Sequence, residues 1–336
     1  MSTRRLLILA PNWLGDAVMA LPLIRDLRQA WPETTIAVAA RKGVAPLYPM
    51  VPHVNEVVTL DGTTDVARLA QGQFDAALLL PNSFASAWLV KRAHIRERWG
   101  FARDLRRPLL TKAIPRVRQY DHQVAYYQAL GTALGVAPGP PFATVVVPAT
   151  AHAAAARLLT ENGVDERHPY VVFAPGAAYG RAKQWLPTRF AELARLLAAD
   201  NVSTVLVGAK GDLEACNEVA HAGAAVNLAG RTDLPTLAAI LRGARAVVAN
   251  DSGAMHLAAA VGVPVTAVFG PTNDQKTAPL RAAPDAPAPV IIATDVWCRP
   301  CMLRECPIDH RCMTRISAAR VYAATKANTD FTDLTD

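Results

Sequence analysis

Residues 246–269, AVVANDSGAMHLAAAVGVPVTAVF, read as a strand, a tight polar turn, a helix and a second strand. The first strand covers Ala246–Ala249, the helix runs from Gly253 to about Val261, and the second strand covers Val265–Phe269. Neither strand alternates apolar with polar residues. A continuous Val/Ala/Phe run is the pattern of a strand buried on both faces, in a parallel sheet covered by helices. The turn between them, Asn250-Asp251-Ser252-Gly253, suits an anion. Asp251 or Ser252 can cap the helix, Gly253 lets another molecule approach the backbone, and the helix start favours negative charge. His256 lies one turn further on and faces back toward the same end. Ligands of open α/β sheets bind outside the carboxyl ends of the strands, where this turn falls. An N-capped helix with a buried histidine is the plain alternative.

The same alternation extends in both directions. Upstream, strands are expected at Leu6–Ala10, Thr35–Ala39, Val57–Leu60 and Ala76–Leu80, with a helix near Asp16–Ala30 and another after the second strand. It resumes at Tyr170–Ala174, followed by helix Pro187–Ala199, strand Val202–Val207, and helices Asp212–Ala222 and Leu234–Leu241. Repeated βαβ units of this kind build Rossmann-like domains, and 336 residues exceed what one core holds, so two domains are expected. The Pro/Gly-dense Gly135–Pro141 leads into a strand at Ala143–Val147 and an Ala-rich helix at Ala151–Leu159. The expected division is residues 1–160, residues 161–320, and a C-terminal tail 321–336 free to pack back on the first domain. Ala282–Pro289 reads as an exposed loop, and the residues from Phe331 are polar enough to fray.

Half the residues are apolar while aromatics make up 6%, which suits close-packed helices on an aliphatic sheet rather than an all-β fold. The opening Met1–Ala10 resembles a signal peptide, but Pro11, Asn12 and Asp16 end its apolar run too early. No uninterrupted apolar stretch reaches the ~18 residues of a membrane span, so a cytoplasmic protein is expected. The net charge of +7 is unevenly placed. Residues 91–118 hold ten Lys/Arg against Glu97 and Asp104, a local +8, which leaves about −1 elsewhere. Such an excess suggests an anionic partner, with a solvated basic face as the alternative.

Three further stretches bear on chemistry. Tyr170–Ala174 runs into Pro175-Gly176-Ala177-Ala178-Tyr179-Gly180-Arg181-Ala182-Lys183-Gln184-Trp185, where two glycines, Arg181 and Lys183 precede a helix and suit a diphosphate. The first strand ends in Pro11-Asn12-Trp13-Leu14-Gly15-Asp16. It carries no GxGxxG, which disfavours a dinucleotide-dependent dehydrogenase. Asp16 at a helix start would repel a phosphate, so this turn should meet something else. Accepting a proton from an alcohol is one such task, although the helix dipole that steadies the carboxylate also lowers its basicity. A plain helix-start aspartate is the alternative. Finally, Cys298-x2-Cys301-x4-Cys306-x5-Cys312 puts four thiols in fifteen residues, with His310 nearby and Cys216 apart. A structural zinc site or a loop of reduced cysteines would account for it, and four thiolates would close the shell against catalysis.

With these motifs in hand, the chain resembles the ADP-heptose:lipopolysaccharide heptosyltransferases, most closely those of the second-heptose type. The likeness rests on Pro11–Asp16, on Pro175-Gly176 through Lys183-Gln184-Trp185, and on Asn250–His256 with Gly270-Pro271-Thr272, and spans residues 6 to about 275. The resemblance implies a GT-B-type α/β fold, two Rossmann-like domains facing each other across a cleft. The first would bind the acceptor, with Asn12 and Gly15 beside Asp16, and the second ADP-heptose. It implies inverting transfer with no cofactor and no catalytic metal. Asp16 would deprotonate a hydroxyl of the first heptose on Kdo-lipid A, and Lys183 would neutralise the departing ADP. Gly176, Asp251, Ser252, Gly253, Ala254 and His256 would hold the diphosphate and sugar. Ala177-Ala178-Tyr179 stands where related first-heptose enzymes place hydroxyl side chains on phosphate, which leaves backbone N–H groups for that contact. The cysteine cluster is absent from some members, so the family gives it no role. An anionic, lipid-linked acceptor would account for the basic segment and for peripheral contact with the cytoplasmic face of the inner membrane; no nucleic acid is expected.

Two other readings remain open on the sequence. One keeps the fold but epimerises or hydrolyses a sugar nucleotide, or transfers a different sugar. The other is a non-enzymatic nucleic-acid-binding protein with a four-cysteine zinc module.

Overall fold

The computed structural model describes residues 4–165, 168–223 and 225–329. The expectations for Met1–Thr3 and for fraying from Phe331 lie outside the described residues. The chain forms two compact units that divide after Val146.

The first unit holds six parallel strands: β1 Arg5–Leu9, β2 Thr35–Arg41, β3 Glu56–Leu60, β4 Ala76–Leu79, β5 Glu97–Phe101 and β6 Lys112–Ile114. Their order across the sheet is β3-β2-β1-β4-β5-β6. β1 pairs with β2 on one side and β4 on the other, Leu6 opposite Ala76 and Leu9 opposite Leu79. Leu6, Leu7 and Ile8 are fully buried, as befits a strand covered on both faces. Chain order reverses between β1 and β4, so the loops leaving these two strands flank the topological switch point.

The second unit repeats the plan with β7 Tyr170–Ala174, β8 Ser203–Leu206, β9 Val226–Asn227, β10 Ala246–Asn250, β11 Val265–Phe269 and β12 Val290–Ala293. The order is β12-β11-β10-β7-β8-β9, all parallel, and the switch point falls between β7 and β10. Ala174 pairs with Ala249, so Pro175 and Asn250 leave the sheet side by side. Val171, Phe173, Val248 and Val268 join Trp185, Phe190 and Leu193 of the covering segments in one buried cluster. Each such aliphatic or aromatic side chain contributes about 1.5–3 kcal/mol by leaving water.

The α/β class and the central strands are as the sequence indicates; several local expectations are corrected. The helix expected near Asp16–Ala30 is two, Leu14–Met19 and Leu21–Ala30, because Pro22 has no N–H to continue the first. The helix expected after β2 is a 3₁₀ segment, Ala45–Met50, shaped by Pro46 and Pro49. Ala143–Val147 is extended and alternately buried, but joins no sheet; Val146 N–H reaches only Met50 O, at 2.8 Å. Over residues 321–328 the segment read as a tail belongs to helix Ala318–Asn328, whose Val321 and Thr325 are fully buried against the second unit's own strands and helix Pro187–Ala199. Among the described residues no helix is long and apolar enough to cross a membrane.

Candidate active site

In the second unit the two glycine-bearing loops converge through Asn250. This residue is fully buried, and its side-chain amide spans the switch point. Its Nδ2 donates to Pro175 O at 2.6 Å, and its Oδ1 accepts from Trp185 N–H at 2.9 Å. One amide thus fixes both ends of the 175–185 loop against the start of the 250–256 turn. A Cβ on Gly176 would lie 2.1 Å from the Asp212 carboxyl, so any larger residue must displace that carboxyl from the Ala209 N–H it accepts.

Lys183 is carried by the 3₁₀ turn Arg181–Lys183 and points at the same place. Its Nζ lies 2.6 Å from Asp251 Oδ2, and both side chains are almost wholly buried. Thr272 Oγ1 donates to the same oxygen at 2.7 Å. Asp251 therefore pairs rather than caps. A buried ion pair adds little net stability once desolvation is counted, so its value lies in where it holds the ammonium. Ser252 occupies the N-cap position of helix Gly253–Ala260 in an extended conformation, yet its side chain makes no cap bond. Its buried Oγ has no hydrogen-bond partner among the described residues. Gly253 and Ala254 open the helix, half-buried, and His256 is buried in its first turn. The leading N–H groups of a helix have no partner within it. A cation, a spare hydroxyl and a helix start are thus gathered at one strand end, an arrangement that fits a diphosphate.

The cysteine-rich segment proves to be the brace of this site. Arg304 O accepts Ala182 N–H at 2.9 Å, His310 Nε2 lies 2.8 Å from Ala182 O, and Tyr179 OH donates to Met302 O at 3.0 Å. A Cβ on Gly180 would meet Arg304 O at 2.4 Å. The Tyr179 ring meets two cations, with Lys183 Nζ 5.0 Å and Arg304 Cζ 5.1 Å from its centre. Arg299 ties the same segment to the loop after β11, through Gly270 O at 2.7 Å and Asp274 at 2.7 Å. The zinc reading gains no support. Cys312 is buried in the core, Cys298 half-buried, and Cys301 and Cys306 exposed; among the described residues no three His, Cys, Asp or Glu gather closely enough to hold a metal. Burial pushes the Cys312 thiol up to about 11, with the other three cysteines adding to it.

In the first unit, Asn12, Gly15 and Asp16 follow β1 at its switch point. Asp16 sits in the first turn of helix Leu14–Met19, half-buried, and its Oδ1 accepts from Tyr127 OH at 3.1 Å. Tyr127, on helix Gln123–Ala133, is buried, and burial together with the Asp16 charge holds its hydroxyl protonated well beyond the ordinary range. The carboxylate is thereby oriented by a donor that does not titrate with it. Beside it, a cavity of about 270 Å³ opens at the ends of β1 to β4, lined among others by Asn12, Arg41, Ser83, Trp88 and Arg92. Asp65 also lines it and pairs with Arg41 at 3.1 Å, so Arg92 is the cation left without a carboxylate among these lining residues, and with the amide and the aromatic ring it suits a polar ligand.

The basic segment divides into cations tied to the backbone and cations at the surface, of which Arg103 pairs with Asp104 at 3.3 Å. Arg98 donates to the carbonyls of Ile95, Arg96 and Leu109. Arg106 is fully buried, donating to Phe101 O, Pro81 O, Ser86 Oγ and Asn82 Oδ1, and burial lowers its pKa to about 10. The other eight are exposed. Sequence reading missed Tyr127, Arg299 and Arg304 and gave Asn250 no separate task, since nothing local distinguishes them.

Comparison with known proteins gives the family. Residues 66–311 match glycosyltransferase family 9 (heptosyltransferase). Lipooligosaccharide heptosyltransferase 2 of Haemophilus ducreyi is 33% identical over 303 residues, covering 82% of this chain and 86% of that protein. Lipopolysaccharide heptosyltransferase 2 of Escherichia coli K12 is 31% identical, covering 82% and 85%. The solved structure of E. coli ADP-heptose LPS heptosyltransferase II superposes with a TM-score of 0.82 at 29% identity, over 96% of this chain and 98% of that one. The chain belongs to glycosyltransferase family 9, the heptosyltransferases, and has their two-unit GT-B-type fold.

Proposed function

We propose that the protein transfers heptose from ADP-heptose to the first heptose of the lipopolysaccharide inner core, heptosyl-Kdo-lipid A, with inversion. The observation that carries the reading is the Lys183–Asp251 pair, 2.6 Å apart beside the unpartnered Ser252 hydroxyl at the switch point of the second unit. Negative charge grows on the leaving diphosphate in the transition state, and a fixed ammonium with helix N–H groups favours that state over the bound donor. Asp251 orients Lys183 and separates its own charge from the phosphates by that ammonium. Ser252, Gly253, Ala254 and His256 line the donor, with Gly176 in the facing loop.

Asp16 accepts the proton of the acceptor hydroxyl, oriented by Tyr127, with Asn12 and Gly15 beside it. The relatives named above are lipooligosaccharide and lipopolysaccharide heptosyltransferases, which supports a lipid-linked acceptor; on this reading the protein works in the cytoplasm at a membrane face.

The test is transfer from ADP-heptose to Kdo-lipid A with and without the first heptose, read by mass. Product only from the acceptor that carries heptose supports the reading. Product without any acceptor, or only from the bare Kdo-lipid A, overturns it. Asp16→Ala should abolish turnover and leave ADP binding intact, while Lys183→Ala should weaken both; ordinary turnover by the first variant removes Asp16 from the mechanism.

A further inference from the structure

Helix Phe84–Arg92 of the first unit turns aromatic rings to solvent. Phe84 and Trp88, one turn apart, are 47% and 45% exposed and stack with ring centroids 6.3 Å apart and planes at 18°. Lys91 Nζ lies 5.8 Å over the Trp88 ring, and Arg92 follows it, exposed, at the helix end. A third apolar side chain joins this edge. Leu105 is 91% exposed, in a loop between exposed Arg103 and Arg107. The next residue, Arg106, is the buried arginine that reaches Pro81 O and Ser86 Oγ, and so staples that loop to the helix's first turn.

Large side chains left in water forgo the gain of burial, and a stacked aromatic pair ringed by cations is the composition of an interfacial surface. We propose that this face docks the protein on an anionic phospholipid bilayer. Phe84, Trp88 and Leu105 enter the boundary between headgroups and acyl chains, where amphipathic rings settle. Lys91 and Arg92 beside the two rings, and Arg103 and Arg107 beside Leu105, all exposed, lie among the headgroups with their stems extended toward phosphate. Charge complementarity selects the occupant. Residues 91–118 carry +8 and the rest of the chain about −1, so a negative surface attracts this edge and orients the molecule. Trp88 and Arg92 also line the cavity beside Asn12, so a lipid-held acceptor meets its binding unit at the membrane. The inference rests on the proposed function only for the acceptor's lipid anchor.

The test is co-sedimentation of the full chain with vesicles of phosphatidylethanolamine and phosphatidylglycerol, or of phosphatidylcholine alone, with no donor or acceptor present. Binding to the anionic vesicles is expected at low salt, falling steeply as salt rises, and at least roughly tenfold weaker on phosphatidylcholine. The double variant Phe84→Ser/Leu105→Asn should lose roughly tenfold or more in vesicle affinity. It should keep its melting temperature, since both side chains are exposed and asparagine tolerates the positive φ of 59° at Leu105. It should also keep its transfer rate on a deacylated, soluble acceptor. Lys91→Gln/Arg107→Gln should flatten the salt dependence.

Failure of the parent to bind anionic vesicles overturns the proposal, as does equal binding to phosphatidylcholine or undiminished binding by the apolar variant. Loss of transfer to the soluble acceptor in a folded Phe84→Ser/Leu105→Asn protein assigns the face to sugar recognition instead. Self-association in place of vesicle binding assigns it to a second copy. Because the vesicle assay contains no sugar nucleotide, it stands or falls apart from the transferase reading.

Discussion

Replacing Asn250 by alanine should cost more than its size suggests. The substitution deletes a donor to Pro175 O and an acceptor from Trp185 N–H, in a fully buried place. Each backbone group left without a partner there costs about 1–3 kcal/mol. Allowing for a water that relieves part of the loss, about 3 kcal/mol is expected, which in a unit of this size is a fall in Tm of roughly 6–12 °C. Asn250→Asp separates shape from hydrogen bonding. Its carboxyl can still accept from Trp185, but must be protonated to donate to Pro175 O, so its folded pKa rises above the ~3.9 of a free aspartate. Between those two values the folded state binds more protons than the unfolded one. The stability of this variant should therefore be nearest the parent's below about pH 4, fall as pH rises through the window, and level off above the folded pKa. Thermal melts across pH, with kcat/KM for the proposed donor, measure both effects. Refutation would be an alanine variant melting within ~2 °C of the parent with unchanged donor kinetics, or an aspartate variant whose deficit shrinks as pH rises.

Three other expectations can be checked independently. Tyr127→Phe removes the hydroxyl that stabilises the charged form of Asp16, so kcat should fall about tenfold and the acid limb of the kcat–pH profile should move to higher pH, with donor KM little changed. Arg106→Met takes the guanidinium from Phe101 O and leaves Pro81 O only the long contact from Ser86 Oγ, 3.4 Å, and should destabilise the first unit by about 3 kcal/mol in a urea melt while leaving ADP binding to the second intact. Brief iodoacetamide treatment at mildly alkaline pH should label Cys301 and Cys306, read by peptide mass, and spare Cys216 and Cys312; burial pushes those two thiols up to about 12 and about 11, so neither holds appreciable thiolate.

What could be read from the chain and what could not follow from the range of the interactions. β1, β4, β7, β10 and β11 announce themselves as aliphatic runs because both faces are covered. In β5, ERWGF, the half-buried Glu97 and Arg98 break the run although the strand lies between β4 and β6, and β6, with sequence KAI, does not announce itself, since a charged, short strand at a sheet edge has no continuous buried run to show. The same holds for two-residue β9. In the site, the small-residue turns and Lys183 stand out because close approach and a helix start leave local signatures. That Asp251 pairs with Lys183 instead of capping its helix depends on a contact across 68 positions of chain, for which Asn250-Asp251-Ser252-Gly253 carries no mark. The cysteines are conspicuous as a composition, and their spacing suggests a metal. The contacts that matter come instead from the backbone of Met302 and Arg304 and from His310, and backbone contacts are blind to side-chain identity.

The grip of that segment on Ala182 also sets an order of events during synthesis. Both the N–H and the C=O of this one residue are held by partners more than a hundred positions downstream. Closing so long a loop costs entropy before any contact repays it, and a chain made from its N-terminus cannot close it until the later residues exist. While the ribosome is still completing residues 304–310, the first unit has had its whole length available for folding. The turn that carries Lys183 has not yet received its clamp. The side proposed to bind the donor is thus the last part of the chain to mature, and a nascent chain can assemble the first unit, proposed to hold the acceptor, well before the turn with Lys183 is clamped.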